Sequence, residues 1–463
     1  MRRWSALLVI VFLLTGCGST KPAPTPAAAP PPTVESTPRV AEAIPTELPT
    51  LAPTVSGTQP PPLEPTPLPT AVPTPATAAT ATATVAIATE TAVPMATVTQ
   101  SPPPKPSDAL AHLHIGDNGD GYGFNVWGLS DNVAARTTVY ANVQGAGFGW
   151  MRQQVSWAAM EPQRGNFRTP TATQLDQFVG GASAKGLKVM FSVVKSPDWA
   201  GAKGGLPADT QDFTDFMTFL TQRYKGKVQA YEIWNEQNYA IETGGRVNVA
   251  AYLPILRAGY QAVKATDPEA VVVFGGLTPT GINDPSIALN DVDYLRQMYA
   301  LNGGEIKQYY DVLGAHPGSN CNPPDNAYPD NPATTPCGTD PDGGRSYTRD
   351  DSFYFKRILE VRKVLEDAGE GDKRIWLTEF GWTTANQAKG YEYGKFVSDQ
   401  QQAQYLTHAF ELGKLYPWMG VMFVWNLNFA TITPPTDEKY PWAVLRGDGS
   451  PRPAYIALKN MPK

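Results

Sequence analysis

Histidine and cysteine are scarce in this chain, and their scarcity limits the chemistry that it can perform. The 463 residues include four histidines and three cysteines. Protein zinc sites are built mainly from these two residue types, with three or four ligands brought together. His112 and His114 lie close in sequence, but no third candidate ligand follows nearby. We therefore expect no metal site.

An excess of basic residues is also missing, as are the glycine motifs that bind phosphates. Lysine and arginine number 37 against 43 acidic residues, which gives a formal net charge of −6. Without a basic stripe, nucleic acid is not expected as a partner. No G-x-G-x-x-G follows the first predicted strand and no G-x-x-x-x-G-K occurs, so we expect no nucleotide and no other cofactor.

No apolar run is long enough to cross a membrane, but a short one lies at the N-terminus. Ser5 to Leu14 is apolar and follows two arginines, a pattern typical of a secretory signal peptide. A membrane span needs about 20 apolar residues. The next residues, L-T-G-C, resemble the lipobox of bacterial lipoproteins. That resemblance implies residues 1–17 as the signal segment, a lipid on Cys17, and a secreted protein anchored at the outer face of the cell membrane. An ordinary cleaved signal peptide with an incidental cysteine is the alternative.

Residues 18–107 are rich in proline, threonine and alanine and contain few large apolar side chains. Such a segment cannot bury enough apolar surface to offset the entropy of ordering, so we expect a disordered linker.

The remaining residues, 108–463, are long enough for one large domain. Cys321 and Cys337 fall in one predicted loop of this domain, Gly318–Arg349, and in an exported protein they favour a disulfide. Two free thiols are the alternative. The oligomeric state is not predicted.

Strand-like and helix-like segments alternate through residues 108–463. Eight strands are predicted, at Phe124–Trp127, Phe148–Val155, Leu187–Val194, Val228–Trp234, Ala270–Phe274, Asp311–Ala315, Arg374–Thr378 and Gly420–Trp425. The predicted helices include Asp131–Gln144, Gln174–Ala184, Asp212–Tyr224, Ala251–Ala265, Val292–Leu301, Ser352–Asp367, Gln401–Leu415 and Ala454–Leu458. Such alternation predicts parallel strands joined by right-handed crossovers. The fold class is therefore α/β, a single (β/α)₈ TIM barrel, with an open doubly wound sheet as the alternative.

Two of the predicted strands end in a glutamate. Residues 231–238 read Y-E-I-W-N-E-Q-N and residues 374–382 read R-I-W-L-T-E-F-G-W. Glu236 follows the fourth strand and Glu379 the seventh, and active sites of such barrels lie at these strand ends. Two carboxylates can supply the acid/base and the nucleophile for cleaving a glycosidic bond. Glu232 is expected on the outer barrel face or in a local pair.

Other polar and aromatic residues are expected at the same end of the barrel, and the set suits a sugar. Tryptophan faces stack on pyranose rings, while arginine and asparagine bind hydroxyl groups. The residues are Trp127, Arg152, Asp198, Trp199, Asn235, His316 and Trp425.

The W-N-E and T-E-F-G motifs, in this order and three βα units apart, resemble clan A glycoside hydrolases, and families 5 and 39 are the nearest by motif. The resemblance covers about 122–456 and implies a retaining glycosidase acting on a β-linked oligo- or polysaccharide. It implies Glu236 as the acid/base and Glu379 as the nucleophile. Asn235 is implied to hold the sugar 2-OH, Arg152 to support Glu379, His316 to lie near the pair and Trp425 to floor the sugar subsite.

Members of these families often have an aromatic residue shortly after the histidine, where this chain has Pro317, Gly318 and Ser319. A tyrosine that orients the nucleophile is therefore expected to come from elsewhere or to be absent. Two other functions fit the sequence: a carbohydrate-binding surface lipoprotein without turnover, and a transglycosylase. The presence of both glutamates argues against the first, since a binding module needs neither. Hydrolysis and transglycosylation share the glycosyl-enzyme intermediate, so the sequence does not separate them.

Overall fold

A computed structural model describes residues 108–329 and 350–463 of the chain. The predicted signal peptide, Cys17 and the linker lie outside these residues, as does most of the predicted long loop. What the sequence predicts of them stays a prediction. Cys321 is fully buried, but Cys337 lies outside the described residues, so their disulfide also stays a prediction.

Ten strands lie in the described residues: β1 Tyr122–Asn125, β2 Trp150–Ser156, β3 Lys188–Val194, β4 Ala230–Ile233, β5 Val271–Leu277, β6 Asn283–Asp284, β7 Ala288–Leu289, β8 Val312–Ala315, β9 Ile375–Phe380 and β10 Met419–Val424. Eight of them close into a barrel in the order β1-β10-β9-β8-β5-β4-β3-β2. Neighbouring barrel strands are all parallel. The predicted (β/α)₈ barrel is therefore confirmed, with strand boundaries shifted by a few residues. The hairpin of β6 and β7, which is antiparallel, was not predicted.

Helices follow the barrel strands and cover the barrel from outside. The described α-helices are α1 Asp108–Ala111, α2 Val133–Gly145, α3 Trp157–Met160, α4 Pro170–Ala184, α5 Thr210–Tyr224, α6 Val249–Thr266, α7 Asp291–Ala300, α8 Arg357–Asp367, α9 Asp399–Leu415 and α10 Pro453–Asn460. Short 3₁₀ helices lie at Asp117–Gly119, Ala202–Gly204, Ala240–Glu242, Leu301–Gly303, Glu305–Gln308, Asp351–Phe353, Glu392–Phe396, Phe429–Thr431 and Tyr440–Trp442. Across residues 108–329 and 350–463, no helix combines the length and apolarity that crossing a bilayer requires.

Polar side chains fix where several helices begin. The helices α2, α4, α5, α6, α7 and α9 each follow a side chain that accepts N–H bonds from the first turn. Such caps satisfy donors that a helix start otherwise leaves free. The predicted helix over 352–367 begins later, at Arg357, because Tyr354 is extended (φ −119°, ψ 140°) after the short 3₁₀ turn.

The alternation of side chains along the strands separates two apolar layers. Trp150, Met190 and Ala230 belong to the cluster inside the barrel, whereas Met151 and Tyr231 belong to the cluster between strands and helices. Successive side chains of a strand point to opposite faces, so the next inward positions of β2, β3 and β4 lie one layer nearer the strands' C-terminal ends. That next layer is polar, and it underlies the candidate site.

Candidate active site

The polar layer inside the barrel is formed by Asn125, Arg152, Ser192 and Glu232. The strand register places Asn125 beside Arg152 on β1 and β2 and Ser192 beside Glu232 on β3 and β4. All four side chains are buried. The sequence-based expectation for Glu232 is wrong: it lies inside the barrel and contacts residues of other strands. The alternation that places Ala230 inward also places Glu232 inward.

Arg152 is the centre of a hydrogen-bond network. Its Nη1 donates to Glu379 Oε1 at 2.6 Å and its Nη2 to Asn235 Oδ1 at 2.6 Å. Its Nε donates to Glu232 Oε2 at 2.8 Å, and its Nη2 lies 2.7 Å from the same oxygen. Further bonds reach Asn125 Oδ1 at 2.7 Å and the Ser192 hydroxyl at 3.0 Å. One buried guanidinium therefore joins both sequence motifs.

A β-bulge in β9 turns two consecutive side chains toward the site. Between Leu377 and Phe380, β9 advances three residues while its partner β10 advances two. A bulge of this kind breaks the alternation of faces and often re-aims side chains near active sites. As a result the Thr378 hydroxyl lies inside the barrel and the Glu379 carboxylate meets the guanidinium described above.

A left-handed turn after β4 positions the other motif. Trp234 has φ 70° and Glu236 has φ 49°, conformations that are uncommon for residues other than glycine. The Glu236 N–H donates to the Gly276 carbonyl at 2.8 Å, and Trp234 Nε1 donates to the Glu242 carbonyl at 2.9 Å. These bonds hold the turn that presents Asn235 and Glu236 at the end of the barrel, here called the mouth.

His316, directly after β8, links the two motifs. Its Nδ1 lies 3.1 Å from Glu236 Oε1 and its Nε2 lies 3.0 Å from the Thr378 hydroxyl. A Cβ at position 276 would lie 2.4 Å from Nε2, so glycine is required there. Burial lowers the pKa of His316, but the carboxylates of Glu379 and Glu236 outweigh it and raise the pKa above its usual value. The protonated ring donates at both nitrogens.

Glu236 and Glu379 face each other across a short gap. One carboxylate oxygen of each lies within 4.8 Å of the other and of a His316 ring nitrogen. Their side chains remain 24 % and 16 % exposed, so both are open to a ligand. The same three side chains could hold a metal ion, but both ring nitrogens of His316 already have protein partners. The expectation of no metal stays a prediction.

Opposing effects act on the ionisation of the buried carboxylates. Burial raises the pKa of Glu379 above the usual range, although the charges of His316 and Arg152 lower it and those of Glu236 and Glu232 raise it further. Burial also acts to raise the pKa of Glu232, but there Arg152 and His316 prevail and the pKa falls. Arg152 thus favours the ionised form of Glu379 but does not outweigh burial, and its support of the nucleophile stays a prediction.

Two of the three predicted tryptophans share one aromatic group at the mouth. Trp425 follows β10 and is half-buried, with its ring centre 5.0 Å from that of Phe429. Phe429 in turn lies 6.3 Å from Trp127, which is 37 % exposed. The Asn428 side chain bonds both the N–H and the carbonyl of Trp127. The loops after β1 and β10 therefore present an aromatic surface together.

Trp199, the third, is bound to the loop after β2. Its indole N–H donates to the Glu161 carbonyl at 3.1 Å, and its ring packs edge-on against Trp157 at 5.6 Å. The Arg164 guanidinium covers the ring at 4.5 Å. Among the described residues its partners are those of this loop, while Asp198 is exposed.

Residues that sequence reasoning missed complete the site. Asn125, Ser192, Glu232 and Thr378 form its buried base, and period-two alternation is the signal that could have found the first three. Tyr391, on the loop after β9, is also near the carboxylates: burial raises its pKa, and the charges of Glu236 and Glu379 contribute. Tyr391 is therefore a candidate for the tyrosine that was expected to come from elsewhere or to be absent.

Two solved structures of glycoside hydrolases resemble this fold. A family 39 glycoside hydrolase from the gut symbiont Bacteroides cellulosilyticus WH2 superposes with TM-score 0.50 at 19 % identity, over 73 % of this chain and 62 % of that one. The chain thus spans less than two thirds of that protein. GH5_18 from Streptomyces cattleya matches with TM-score 0.53 in complex with Manb1-4GlcNAc, at 14 % identity over 74 % of this chain and 80 % of that one. At these identities the likeness shows the fold. No curated protein matches the chain.

The family is shown by sequence. Residues 117–420 match the model of Cellulase (glycosyl hydrolase family 5). The matched segment contains both glutamate motifs and stops shortly before Trp425. The fold and this match agree, and the chain belongs to glycosyl hydrolase family 5.

Proposed function

We propose that the protein is a retaining glycosidase of β-linked glycans, with Glu236 as the acid/base and Glu379 as the nucleophile. The observation that carries the proposal is the gap between the two carboxylates, whose nearest ligand atoms lie within 4.8 Å. Retaining enzymes place their carboxyl groups about 5–5.5 Å apart and inverting enzymes about 6.5–9.5 Å. A gap this short is typical of the retaining arrangement rather than the inverting one.

The reaction has two steps with balanced proton transfers. Glu379 attacks the anomeric carbon while Glu236 gives its proton to the departing glycosidic oxygen, which leaves a glycosyl ester on Glu379. Glu236 then takes a proton from water, and the water oxygen attacks the anomeric carbon and releases the ester. Because Arg152 occupies Oε1 of Glu379, the attacking oxygen is Oε2.

The charges of the two glutamates are linked, so that the protonation of one affects the ionisation of the other. The negative charge of Glu236 is one of the effects that raise the pKa of Glu379. When Glu236 holds its proton, that effect disappears, and Arg152 and protonated His316 stabilise the Glu379 anion. A protonated acid therefore supports an ionised nucleophile.

Asn235 is the proposed contact to the sugar. Its amide oxygen accepts from Arg152 at 2.6 Å, which turns the amide NH₂ away from the guanidinium. An NH₂ fixed in this way can donate to the sugar 2-OH, a contact that tightens in the transition state. Trp425 supplies an apolar face beside it. The substrate class proposed is a β-linked oligo- or polysaccharide. A lipid anchor on Cys17, implied by the lipobox-like L-T-G-C, is a separate proposal.

The pH dependence of turnover should reflect the partly buried nucleophile, Glu379. Glu379 must be ionised to attack, and burial raises its pKa, so activity is lost as the pH falls through that raised value. We expect the acidic limb of kcat/KM above the ordinary glutamate pKa of about 4.3. The profile is measured with circular dichroism at each pH to show that the protein stays folded. A limb below about 4.3 in folded protein contradicts the assignment.

The proposed function is tested by sugar release from β-linked polysaccharides and aryl β-glycosides. In Glu236→Ala we expect kcat/KM to fall by about 10²- to 10⁴-fold for substrates whose leaving group needs a proton. For dinitrophenyl glycosides the first step should be nearly unaffected, because their leaving group departs as an anion. Glu269→Ala, an exposed glutamate before β5, is the matched control.

Two outcomes oppose this proposal. An equal loss for both leaving groups argues that Glu236 is not the acid. A wild-type protein that releases no sugar from any member of the panel contradicts the proposed substrate class.

A further inference from the structure

Glu232 is a buried carboxylate that lies below Glu236 and Glu379. Its two oxygens bond to the groups that hold these two glutamates in place. Glu232 is fully buried, and its carboxylate bonds to Arg152 of β2 and to the backbone of Gly276 in β5. Burying an ionised carboxylate is costly unless it is paired and hydrogen-bonded. The burial of Glu232 therefore depends on its pairing with Arg152, and we ask what this pairing does for the reaction.

One Glu232 oxygen holds the guanidinium that supports the nucleophile. Oε2 receives Nε of Arg152 at 2.8 Å and lies 2.7 Å from Nη2. A guanidinium bound at two nitrogens by one carboxylate has a fixed plane. The third nitrogen, Nη1, then points at Glu379 Oε1, 2.6 Å away.

The other Glu232 oxygen holds the backbone that supports the acid/base. Oε1 accepts the Gly276 N–H at 3.1 Å, and the Gly276 carbonyl accepts the Glu236 N–H at 2.8 Å. A register shift between β5 and β8 lies at this point, between Phe274 and Leu277. The bond to Glu232 thus fixes an irregular segment on which the left-handed turn of Glu236 depends.

Resting on the proposed function, we propose that Glu232 is a positioning residue of the glycosidase reaction: it holds Arg152 against Glu379 and holds the β5 backbone against Glu236. It touches neither substrate nor reacting atoms. It aligns both reacting carboxylates from below.

Glu232→Gln tests this proposal in the full-length protein. The amide keeps the size of the side chain but removes the charge that pairs with Arg152. We expect kcat to fall by about 10- to 100-fold, as for other supporting residues, with KM changed far less. The matched control is Glu370→Gln, because Glu370 is also buried but bonds Tyr299 and Tyr310 away from the site.

The pKa of Glu379 gives a second measurement, which a merely structural role of Glu232 would leave unchanged. The charge of Glu232 is one of the effects that raise the pKa of Glu379, and removing it also frees Arg152 for Glu379. The acidic limb of kcat/KM should therefore move to lower pH in Glu232→Gln and stay in place in Glu370→Gln. Carbon-13 NMR of labelled glutamate carboxyls follows the same titration without substrate, with Glu379→Gln to assign the signal.

The outcomes separate this proposal from the proposed function. A folded Glu232→Gln with wild-type kcat and an unmoved Glu379 titration overturns the proposal. If neither the wild type nor any variant turns over substrate, the proposed function fails. The NMR titration of Glu379 then still shows whether Glu232 acts on Glu379. Should Glu232→Gln not fold, Glu232→Asp keeps the charge on a side chain too short to reach both Arg152 and Gly276, and a wild-type kcat in Glu232→Asp overturns the proposal.

Discussion

Replacing Glu379 by alanine is expected to lower kcat by about 10⁴-fold or more, as removal of a nucleophile does in other enzymes with covalent intermediates. The carboxylate supplies the electron pair that displaces the leaving group, and no other carboxylate among the described residues shares its place beside Arg152 and within 4.8 Å of Glu236. The measurement is steady-state turnover of whichever aryl glycoside the wild type cleaves. Glu411→Ala, on the exposed face of α9, is the control.

Azide makes the experiment on Glu379 sharper. In the alanine variant, azide can occupy the vacated space and attack the anomeric carbon, while Glu236 remains in place. The expected result is recovered turnover with a glycosyl azide of inverted configuration. A variant that keeps more than a tenth of the wild-type kcat, or that gives a retained azide, contradicts Glu379 as the nucleophile.

Arg152→Met is expected to destabilise the protein by about 3–5 kcal/mol, the usual cost of removing one partner of a buried ion pair. Methionine fills much of the space but leaves Glu232 buried and without its cation. The measurement is urea unfolding, and turnover of the folded fraction should also fall because Glu379 loses its support.

The double variant Arg152→Met with Glu232→Gln identifies the cause of that destabilisation. If the uncompensated charge of Glu232 is responsible, the double variant is more stable than Arg152→Met alone. A loss below about 1 kcal/mol for Arg152→Met, or no recovery in the double variant, means that the pair is not coupled as the contacts indicate.

The barrel could be predicted because its signals are local and repeated. Each strand, such as Leu187–Val194, is a short β-branched and apolar run, and helical spacing like that of Phe213, Phe216 and Leu220 separates the strands. Parallel strands align their C-terminal ends, so two glutamates in strand-end motifs had to meet at the mouth. The order of the elements thus placed Glu236 and Glu379 at the same end of the barrel.

The support beneath the pair depends on features that a single sequence does not carry. The bulge that turns both Thr378 and Glu379 inward is a property of the pairing of β9 with β10. The left-handed turn at Trp234 and Glu236 has no glycine to mark it. Glu232 was misplaced for a different reason: a charged residue in a strand was assigned to the outside, although alternation with Ala230 pointed inward.

Tryptophans were also hard to assign, because the same residue type packs cores and stacks on sugars. Trp127 and Trp425 follow β1 and β10, strands that are neighbours only in the closed barrel. Trp199 resembles them in sequence, yet its indole N–H and ring are engaged by Glu161 and Arg164. The three tryptophans therefore differ in their contacts, although each follows a barrel strand.

The stereochemistry of the first product tests the central claim most directly. Proton NMR, recorded in the first minutes of hydrolysis and before mutarotation, distinguishes the two anomers of the released sugar. The close approach of Glu236 and Glu379 predicts that the β anomer appears first from a β-linked substrate. If the α anomer appears first, the enzyme inverts, and the covalent role of Glu379 is wrong.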